Sequence, residues 1–456
     1  VILGLDPAEV PPSRRADWLT DRLRTAVVDG TLAAGTTLPA SRALAADLAI
    51  ARGTVVEAYQ RLIEETLLIA EPRRGIRVAA RPEPLHAPSG MDAAAGSHSS
   101  TRIDLAHGVP DVTGFPRAAW LRAEREVLES ATAAQLGYPD PQGALELRMA
   151  LSEWLARSRG VNAPPDRIVV TGGVAGALTA IAQVLATRGE QSLAIEASST
   201  TGSLALLDRW MPHVERIAID ADGLDVDCLA ASGARAVVVT PAHQYPTGVV
   251  LAPQRRRALL DWARRVNGLV IEDDYDAEHR YDRRPVRALQ PLDPERVAYT
   301  SSLSKTLAPA LRLGWLVPPA ALRDDLVELR RVTDLGAPTI PQLTLALMLR
   351  RNVLERHLRA VRTRHRRRRD ALVAGLRAEL PDVRIGGVAA GLHLVVDTPD
   401  DVKLTARLAA EGIDVLPLST LYAGRTPRSG LVLHYGGQPE HILATASIRI
   451  ARALRA

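Results

Sequence analysis

The sequence predicts a multidomain α/β protein: a small winged helix-turn-helix at the N-terminus, a connecting segment, and a large domain on a mainly parallel sheet with a smaller α+β lobe. Three observations predict it. The chain has 456 residues, too many for one core when a domain takes ~100–200. Its first 78 residues read as three helices and a basic hairpin, and the last 350 or so alternate apolar strand-like runs with helical patterns.

Composition narrows the function. With 46% hydrophobic and 24% charged residues, no apolar run of membrane-spanning length and no charged-then-apolar leader, we expect a soluble, cytoplasmic protein without a membrane partner. One cysteine, Cys228, excludes an intramolecular disulfide and a cysteine-based zinc cluster, and we expect no metal site. The net charge of +5 is too modest to argue for nonspecific nucleic-acid binding. Of 57 basic residues only Lys305 and Lys403 are lysines. An amine can form a Schiff base and a guanidinium cannot, so a lysine kept inside a special local sequence is a nucleophile candidate.

The first helix is expected from about Arg14 to Asp29, followed by a turn-rich stretch, Gly30 to Pro39, and two short helices. In Arg52 to Glu65, the apolar Val55, Val56, Tyr59, Leu62 and Ile63 recur at helical spacing and leave Arg52, Thr54 and Arg61 nearer the other face. Leu67 to Ala70 and Ile76 to Val78 then flank a basic tip, Arg73-Arg74-Gly75, as in a hairpin. Arg42, Arg52 and Thr54 at helix starts can reach phosphates and base edges, and Arg73, Arg74 and Gly75 lie where a wing tracks the backbone. The bland alternative is ordinary solvated charge, since residues 1–78 balance ten basic against ten acidic groups.

Through Leu38-Pro-Ala-Ser-Arg-Ala-Leu-Ala45 and Arg52-Gly-Thr-Val-Val-Glu-Ala-Tyr59, residues 14–78 resemble the GntR family of bacterial repressors. The resemblance implies operator DNA as a partner. The family's Gly-Val-Ser before the recognition helix is replaced by Ala49-Ile50-Ala51, a turn without its glycine and a helix without its serine cap, each worth ~1 kcal/mol.

Residues 79–103 are rich in Pro, Ala, Ser and Gly without apolar periodicity, as a flexible linker would be. From 104 to 456 the expected strands are Arg167 to Thr171, Ser192 to Glu196, Ala236 to Thr240, Leu269 to Glu272 and Val297 to Thr300. The smaller lobe is expected from about 324, with strands near Val383 to Val396 and Gly430 to His434.

The strongest chemical signal is Tyr299-Thr-Ser-Ser-Leu-Ser-Lys305-Thr-Leu-Ala-Pro-Ala-Leu-Arg312. It sets a lysine just past a strand, with Ser302 and Ser304 before it and an arginine seven residues on. A lysine aldimine with pyridoxal 5'-phosphate (PLP) needs an amine near the aldehyde, and hydroxyls and a guanidinium near the phosphate. The alternative is a surface loop lysine. Upstream, Val270-Ile-Glu-Asp273-Asp-Tyr275-Asp276 ends a strand in acids, where open α/β sheets bind ligands. There Asp273 can keep a pyridine nitrogen protonated, with Tyr275 as a phenol for the ring oxygen. A metal site or a solvated loop are the alternatives for such an acidic run. Val170-Thr-Gly-Gly-Val-Ala-Gly176 is a strand-glycine-helix junction whose backbone N–H groups suit a phosphate.

With Tyr138-Pro-Asp-Pro-Gln-Gly143, Leu147-Arg148 and Thr240-Pro-Ala-His-Gln-Tyr245-Pro-Thr-Gly248 in the same order, residues from about 103 to 450 resemble the fold-type I aminotransferases. The whole chain resembles the MocR subfamily of GntR regulators. The resemblance implies Lys305 as the aldimine lysine and Asp273 on the pyridinium nitrogen. It implies Ser302, Ser304, Arg312 and the amides of Val174 and Ala175 around the phosphate, and Tyr245 where aminotransferases carry asparagine. Tyr138 would reach the phosphate of a neighbouring subunit in a homodimer, commonly domain-swapped head to tail. Two departures stand out. Ala197 to Gly202 offers Thr200 where an aromatic usually stacks on the cofactor, and Val432 stands where an arginine often clamps a substrate carboxylate. A two-residue shift would make His434 the polar group there.

The expectation is therefore a PLP-dependent transcriptional regulator, responsive to PLP or a small amine through Lys305, with little or no transaminase turnover. The rival is an active aminotransferase carrying a DNA-binding domain, and a third reading is a cofactor-free scaffold. Arg362 to Arg369 is expected to be a solvated helix face, with operator DNA contact as its alternative.

Overall fold

The computed structural model describes residues 7, 10–71, 75–79, 102–276, 278–281, 286–422 and 428–455. These fall into two compact units, one within residues 1–97 and one within 98–456. Most of the segment read as a linker, and Arg73 and Arg74 of the expected wing, lie outside the described residues. Ile103, the last residue of that expected linker, instead pairs as a strand with Ile413.

The first unit holds helices Arg15–Val28, Ser41–Asp47 and Arg52–Glu64, then an antiparallel hairpin of Leu68–Glu71 with Gly75–Val78. Leu19 and Leu23 of the first helix, Leu44 of the second, Val55, Ala58, Tyr59 and Leu62 of the third, and Leu68 and Val78 of the hairpin share one buried core. The third helix departs from its expected stripe at two positions. Val56, one residue round the helix from buried Val55, is 46% exposed, and Ile63 is only half-buried. Ala58 takes the place between them, because positions three and four apart share a helix face. Both sequence departures have structural consequences. Ala49 sits at φ 48° in the turn, a left-handed conformation that glycine adopts without steric cost. Ala51, the N-cap of the third helix, makes no side-chain cap.

In the second unit a seven-stranded sheet has the spatial order Val169–Thr171, Gly314–Val317, Val297–Ser302, Leu269–Asp273, Ala236–Val239, Ser192–Glu196, His213–Ile217. All neighbours are parallel except Gly314–Val317, which runs antiparallel to both of its partners. The five expected strands are present within a few residues of their read bounds. His213–Ile217, an edge strand with polar residues, and Gly314–Val317, a short apolar run directly after the lysine segment, complete the sheet without having been expected. The parallel strands are buried on both faces, so they read as unbroken Val/Ile/Ala runs. Thr171, Glu196, Asp273 and Ser302 stand at the carboxyl ends of their strands, along one edge of the sheet.

The smaller lobe gathers later than about 324. Helices Ala320–Thr333 and Thr339–Arg350 place Leu322, Leu326, Leu345 and Met348 in the cores of the large sheet. The long helix Val353–Glu379 gives Leu354 and Leu358 to the large-domain core and Leu372, Val373 and Leu376 to the lobe core. The lobe's sheet has the order Ile385–Gly386, His393–Asp397, Gly430–His434, Leu416–Pro417, and Ile103 and Leu105 join its core. A change of local pattern marked the helices, whereas only long-range packing shows which core they serve.

The arginine run lies on that long helix and is not a wholly solvated face. Arg364 Nε donates to Asp111 at 2.8 Å, Arg368 pairs with the same carboxylate at 3.3 Å, and Arg362 Nε donates to the Glu278 carbonyl at 2.9 Å. His365 accepts from the Asp111 amide at 3.3 Å. Of the arginines in the run, only Arg366 and Arg367 are exposed. Burial of Asp111 raises its carboxyl, but the Thr113 hydroxyl and the two arginines outweigh this and hold it at about 2.

Candidate functional site

At the carboxyl ends of the parallel strands lies a cavity of about 430 Å³ lined by Lys305, Asp273, Tyr275, Tyr245, Ser302, Ser304, Arg312, Val174 and Ala175. Each residue read from the sequence as belonging to the cofactor site of a single chain is therefore brought to one place. Strand alternation sorts the acids that end Leu269–Asp273. Glu272 turns away and accepts the backbone N–H groups of Leu289 and Gln290. Asp274 is taken by Arg159 Nε at 2.6 Å and the Tyr299 hydroxyl at 2.7 Å. Asp273 alone of the three faces the cavity, and its buried Oδ1 has no hydrogen-bond partner.

That orphaned oxygen fits a ring nitrogen. Burial first, then the neighbouring carboxylates of Asp274, Asp276 and Glu196, push the Asp273 carboxyl up to about 8, against the pull of Lys305. Burial lowers the Lys305 amine, against Asp276 and Asp273. A cationic ring nitrogen beside Asp273 would restore its carboxylate. At the other end, the helix Val174–Thr187 starts after Gly173, at φ 90°, and presents the unpaired N–H groups of its first turn. Arg312 lies over this turn and donates to the Gly172 carbonyl. A Cβ on Gly314 would meet Gly173 Cα at 2.6 Å, so the antiparallel strand can pass beneath this loop only as glycine. The Ser304 amide donates to Ser302 Oγ at 3.3 Å, which orders the hydroxyls.

The lysine loop is held from behind. His279 Nε2 stands 3.0 Å from the Lys305 carbonyl, and His357 Nε2, on the long helix, stands 3.0 Å from that of Thr306. Lys305 Nζ donates to the Gly108 carbonyl.

The lining also carries Leu392, His393, His434 and Gly108, and Tyr245 has the rings of Tyr275, His393 and His434 around it. Tyr245 precedes a cis proline, Pro246, its hydroxyl is 3.4 Å from His434 Nε2, and burial pushes its phenol up to about 12. Tyr275 reaches His243 Nδ1 at 3.2 Å, and the same nitrogen is 2.8 Å from Asp276. His243, Asp276 and His393 bring ligand-type atoms within 4.8 Å of one another. However, His393 Nε2 is 2.9 Å from the Pro246 carbonyl and must donate there, so this nitrogen is spent on the protein.

The departures resolve as follows. Val432 is fully buried with Val395, Leu418 and Leu421, and Tyr245 packs against that cluster. The polar group that reaches the cavity is His434, two residues along the same strand and so on the same face. Thr200 lines the cavity without an aromatic ring and caps the helix Thr201–Trp210, accepting from the Ser203 amide at 3.0 Å. Sequence reasoning assigned no role to His243, Asp276, His393 or Gly108. The first two lay inside segments already singled out, and the others meet the site only through tertiary contacts.

Tyr138 is outside the cavity and 88% exposed. Its loop is fixed by Arg148, which donates to the carbonyls of Gly143 and Pro165 at 2.9 Å. In the first unit Arg42, Arg52 and Gly75 are exposed and Thr54 is half-buried. Arg52 Nε is 3.5 Å from Ser41 Oγ, so the two helix starts adjoin. Among the described residues, no helix is long and apolar enough to cross a membrane.

Residues 16–78 match the family model of bacterial regulatory proteins of the gntR family, and residues 100–432 match that of aminotransferase class I and II. The chain is 32% identical over 460 residues to the HTH-type pyridoxine biosynthesis transcriptional regulator PdxR of Corynebacterium glutamicum, covering 99% of this chain and 98% of that protein. It is 30% identical to the probable rhizopine catabolism regulatory protein MocR of Rhizobium meliloti, covering 94% and 91% respectively. Among solved structures, an archaeal alanine:glyoxylate aminotransferase superposes with a TM-score of 0.72 at 26% identity, over 78% of this chain and 91% of that one.

Proposed function

We infer the function from the premise that the chain belongs to the aminotransferase class I and II family and, as a fusion of both matched domains, to the MocR subfamily of GntR regulators. It is an HTH-type transcriptional regulator with an aminotransferase-like domain, and its cofactor is pyridoxal phosphate. The reading beyond this is that the large domain senses PLP or an amine and alters operator binding in the cytoplasm. The observation that supports it is the single cavity joining Lys305, Asp273 and the phosphate-type turn.

When bound, PLP supplies an aldehyde that bonds reversibly to primary amines and a ring that draws electrons. Lys305 is the residue that would hold it covalently, giving up its hydrogen bond to Gly108. Asp273 holds the proton at the ring nitrogen, while Tyr245 and Tyr275 bond the ring hydroxyl. Val174, Ala175, Ser302, Ser304 and Arg312 bind the phosphate. Tyr138, exposed in one chain, serves the phosphate of a second copy in a head-to-tail homodimer. Arg42, Arg52 and Thr54 at the helix starts serve phosphates and base edges, and Gly75, with Arg73 and Arg74 as read from the sequence, serves the DNA backbone. A ligand changes operator binding only by favouring one arrangement of the dimer over another. The relative named for pyridoxine biosynthesis makes PLP itself one signal to test here.

Replacing Lys305 with alanine tests the reading. The visible absorption of the loaded protein and its ligand-dependent operator binding should both disappear, and an unchanged band and response would sink it. The intact cofactor side also favours a second reading, an active aminotransferase with a DNA-binding domain. Steady transamination at an ordinary enzyme rate would support that one.

A further inference from the structure

Hydrogen-bond polarity on the amine side of the cavity limits what can enter. His434 Nδ1 is 3.2 Å from the Leu105 carbonyl. A carbonyl only accepts, so Nδ1 carries the hydrogen and the neutral ring turns the lone pair of Nε2 toward Tyr245 and the cavity. The Gly108 carbonyl is a second acceptor, now taken by Lys305 Nζ. The two lie together, since a Cβ on Gly108 would be 3.2 Å from His434 Nε2 and 3.3 Å from Lys305 Nζ. The cations among the described lining residues are Lys305, whose released amine has the Gly108 carbonyl as its partner, and Arg312, at the Gly172 end. Val432, where an arginine would have stood, is beneath Tyr245 in an apolar cluster.

A carboxylate placed against His434 Nε2 and the Gly108 carbonyl accepts and cannot donate, so at those two atoms its desolvation goes uncompensated, while the nearby hydroxyls of Tyr245 and Tyr275 face His434 and His243. A group that donates hydrogen bonds, or an apolar one resting on Leu392 and Tyr245, meets no such mismatch. We propose that His434 and the Gly108 carbonyl make this site select primary amines without a neighbouring carboxylate, such as monoamines and diamines, over α-amino acids. The proposal rests on the reading that Lys305 holds the cofactor. In the exchange, one carbon–nitrogen bond forms, another breaks, and the two hydrogens of the incoming amine pass to the departing Lys305 nitrogen, so no oxidant or water is consumed. Burial, then Lys305, hold the His434 imidazole down at about 4, which keeps it neutral at physiological pH.

The test titrates the full-length, PLP-loaded protein with matched pairs, phenethylamine against phenylalanine and putrescine against ornithine, reading the visible spectrum. The amine of each pair should shift the band at a concentration lower by about tenfold or more, the effect of one unpaired buried polar group. His434→Arg should narrow or reverse that ratio. His434→Gln, which can turn an amide N–H into the cavity, should narrow it even if the arginine variant does not fold. Equal or tighter response to the amino acids overturns the inference and leaves the cofactor reading standing, as does a band that neither class moves. If the loaded protein shows no band at all, the cofactor reading fails and takes this inference with it.

Discussion

Asp273→Asn is the substitution that most directly probes the electrostatics of the cavity. In the cofactor-free protein the Asp273 carboxyl is pushed up to about 8, whereas in the unfolded chain it titrates near 3.9. Between those values the folded state holds a proton that the unfolded state has released. Stability is therefore lost as pH rises through this window, by up to ~1.4 kcal/mol per pH unit. Asparagine removes this slope. Titrating groups remote from Asp273 act equally on both proteins and cancel in the difference, whereas Asp276, Glu196 and Lys305, which interact with it, leave a remainder. Between pH 5 and pH 7 the variant should thus gain on the parent by at most about 3 kcal/mol. Asp273 is half-buried and solvent screens part of this, so about 1–3 kcal/mol is expected. Guanidinium unfolding of both proteins at the two pH values, followed by tryptophan fluorescence, measures it. A difference independent of pH would refute the reasoning, since it would mean that Asp273 ionises in the fold as it does in water. Loading the cofactor should reverse the ranking, because only the carboxylate can face a protonated ring nitrogen.

In the helix-turn-helix, Ala49→Gly relieves a left-handed alanine and Ala51→Ser supplies a missing cap. Each should stabilise the helix Arg52–Glu64 by ~1 kcal/mol, read as slower amide hydrogen exchange in the full-length protein. Arg159→Leu strands Asp274 and should cost about 3–5 kcal/mol in thermal or denaturant unfolding, because Arg159 and Asp274 are both almost wholly buried. On operator DNA, Arg52→Ala should weaken binding and, if the guanidinium meets a phosphate, lower the salt-dependence slope by about 1. If it meets a base edge, the variant should instead relax sequence preference at one position, which a panel of operator variants would reveal.

Much of the fold was legible because its signals are local. Strand-helix alternation, the apolar run before Asp273 and the hydroxyls around Lys305 all lie within short windows, and the parallel sheet turns strand ends into a shared edge. Where one helix hands over from one core to another is not local, which is why the small lobe was placed too early. The arginine run was misread for the same reason, since nothing near Arg364 in sequence reveals Asp111. The cofactor side of the cavity was readable, and of the amine side the sequence offered Tyr245, Tyr275 and, by a two-residue shift, His434, but neither Gly108 nor His393. Lys305 and Gly108 are 197 positions apart, and His434 reaches the cavity through a strand register that pairs it with His393.

The central claim is a covalent bond between Lys305 and the cofactor. It can be measured by saturating the protein with PLP, reducing with borohydride and locating the added mass after trypsin. A modified Lys305 resists cleavage, so the account predicts the label on the uncut peptide 297–312, as set by Arg296 and Arg312. An unlabelled Lys305 in saturated protein, or label only on Lys403, would contradict it.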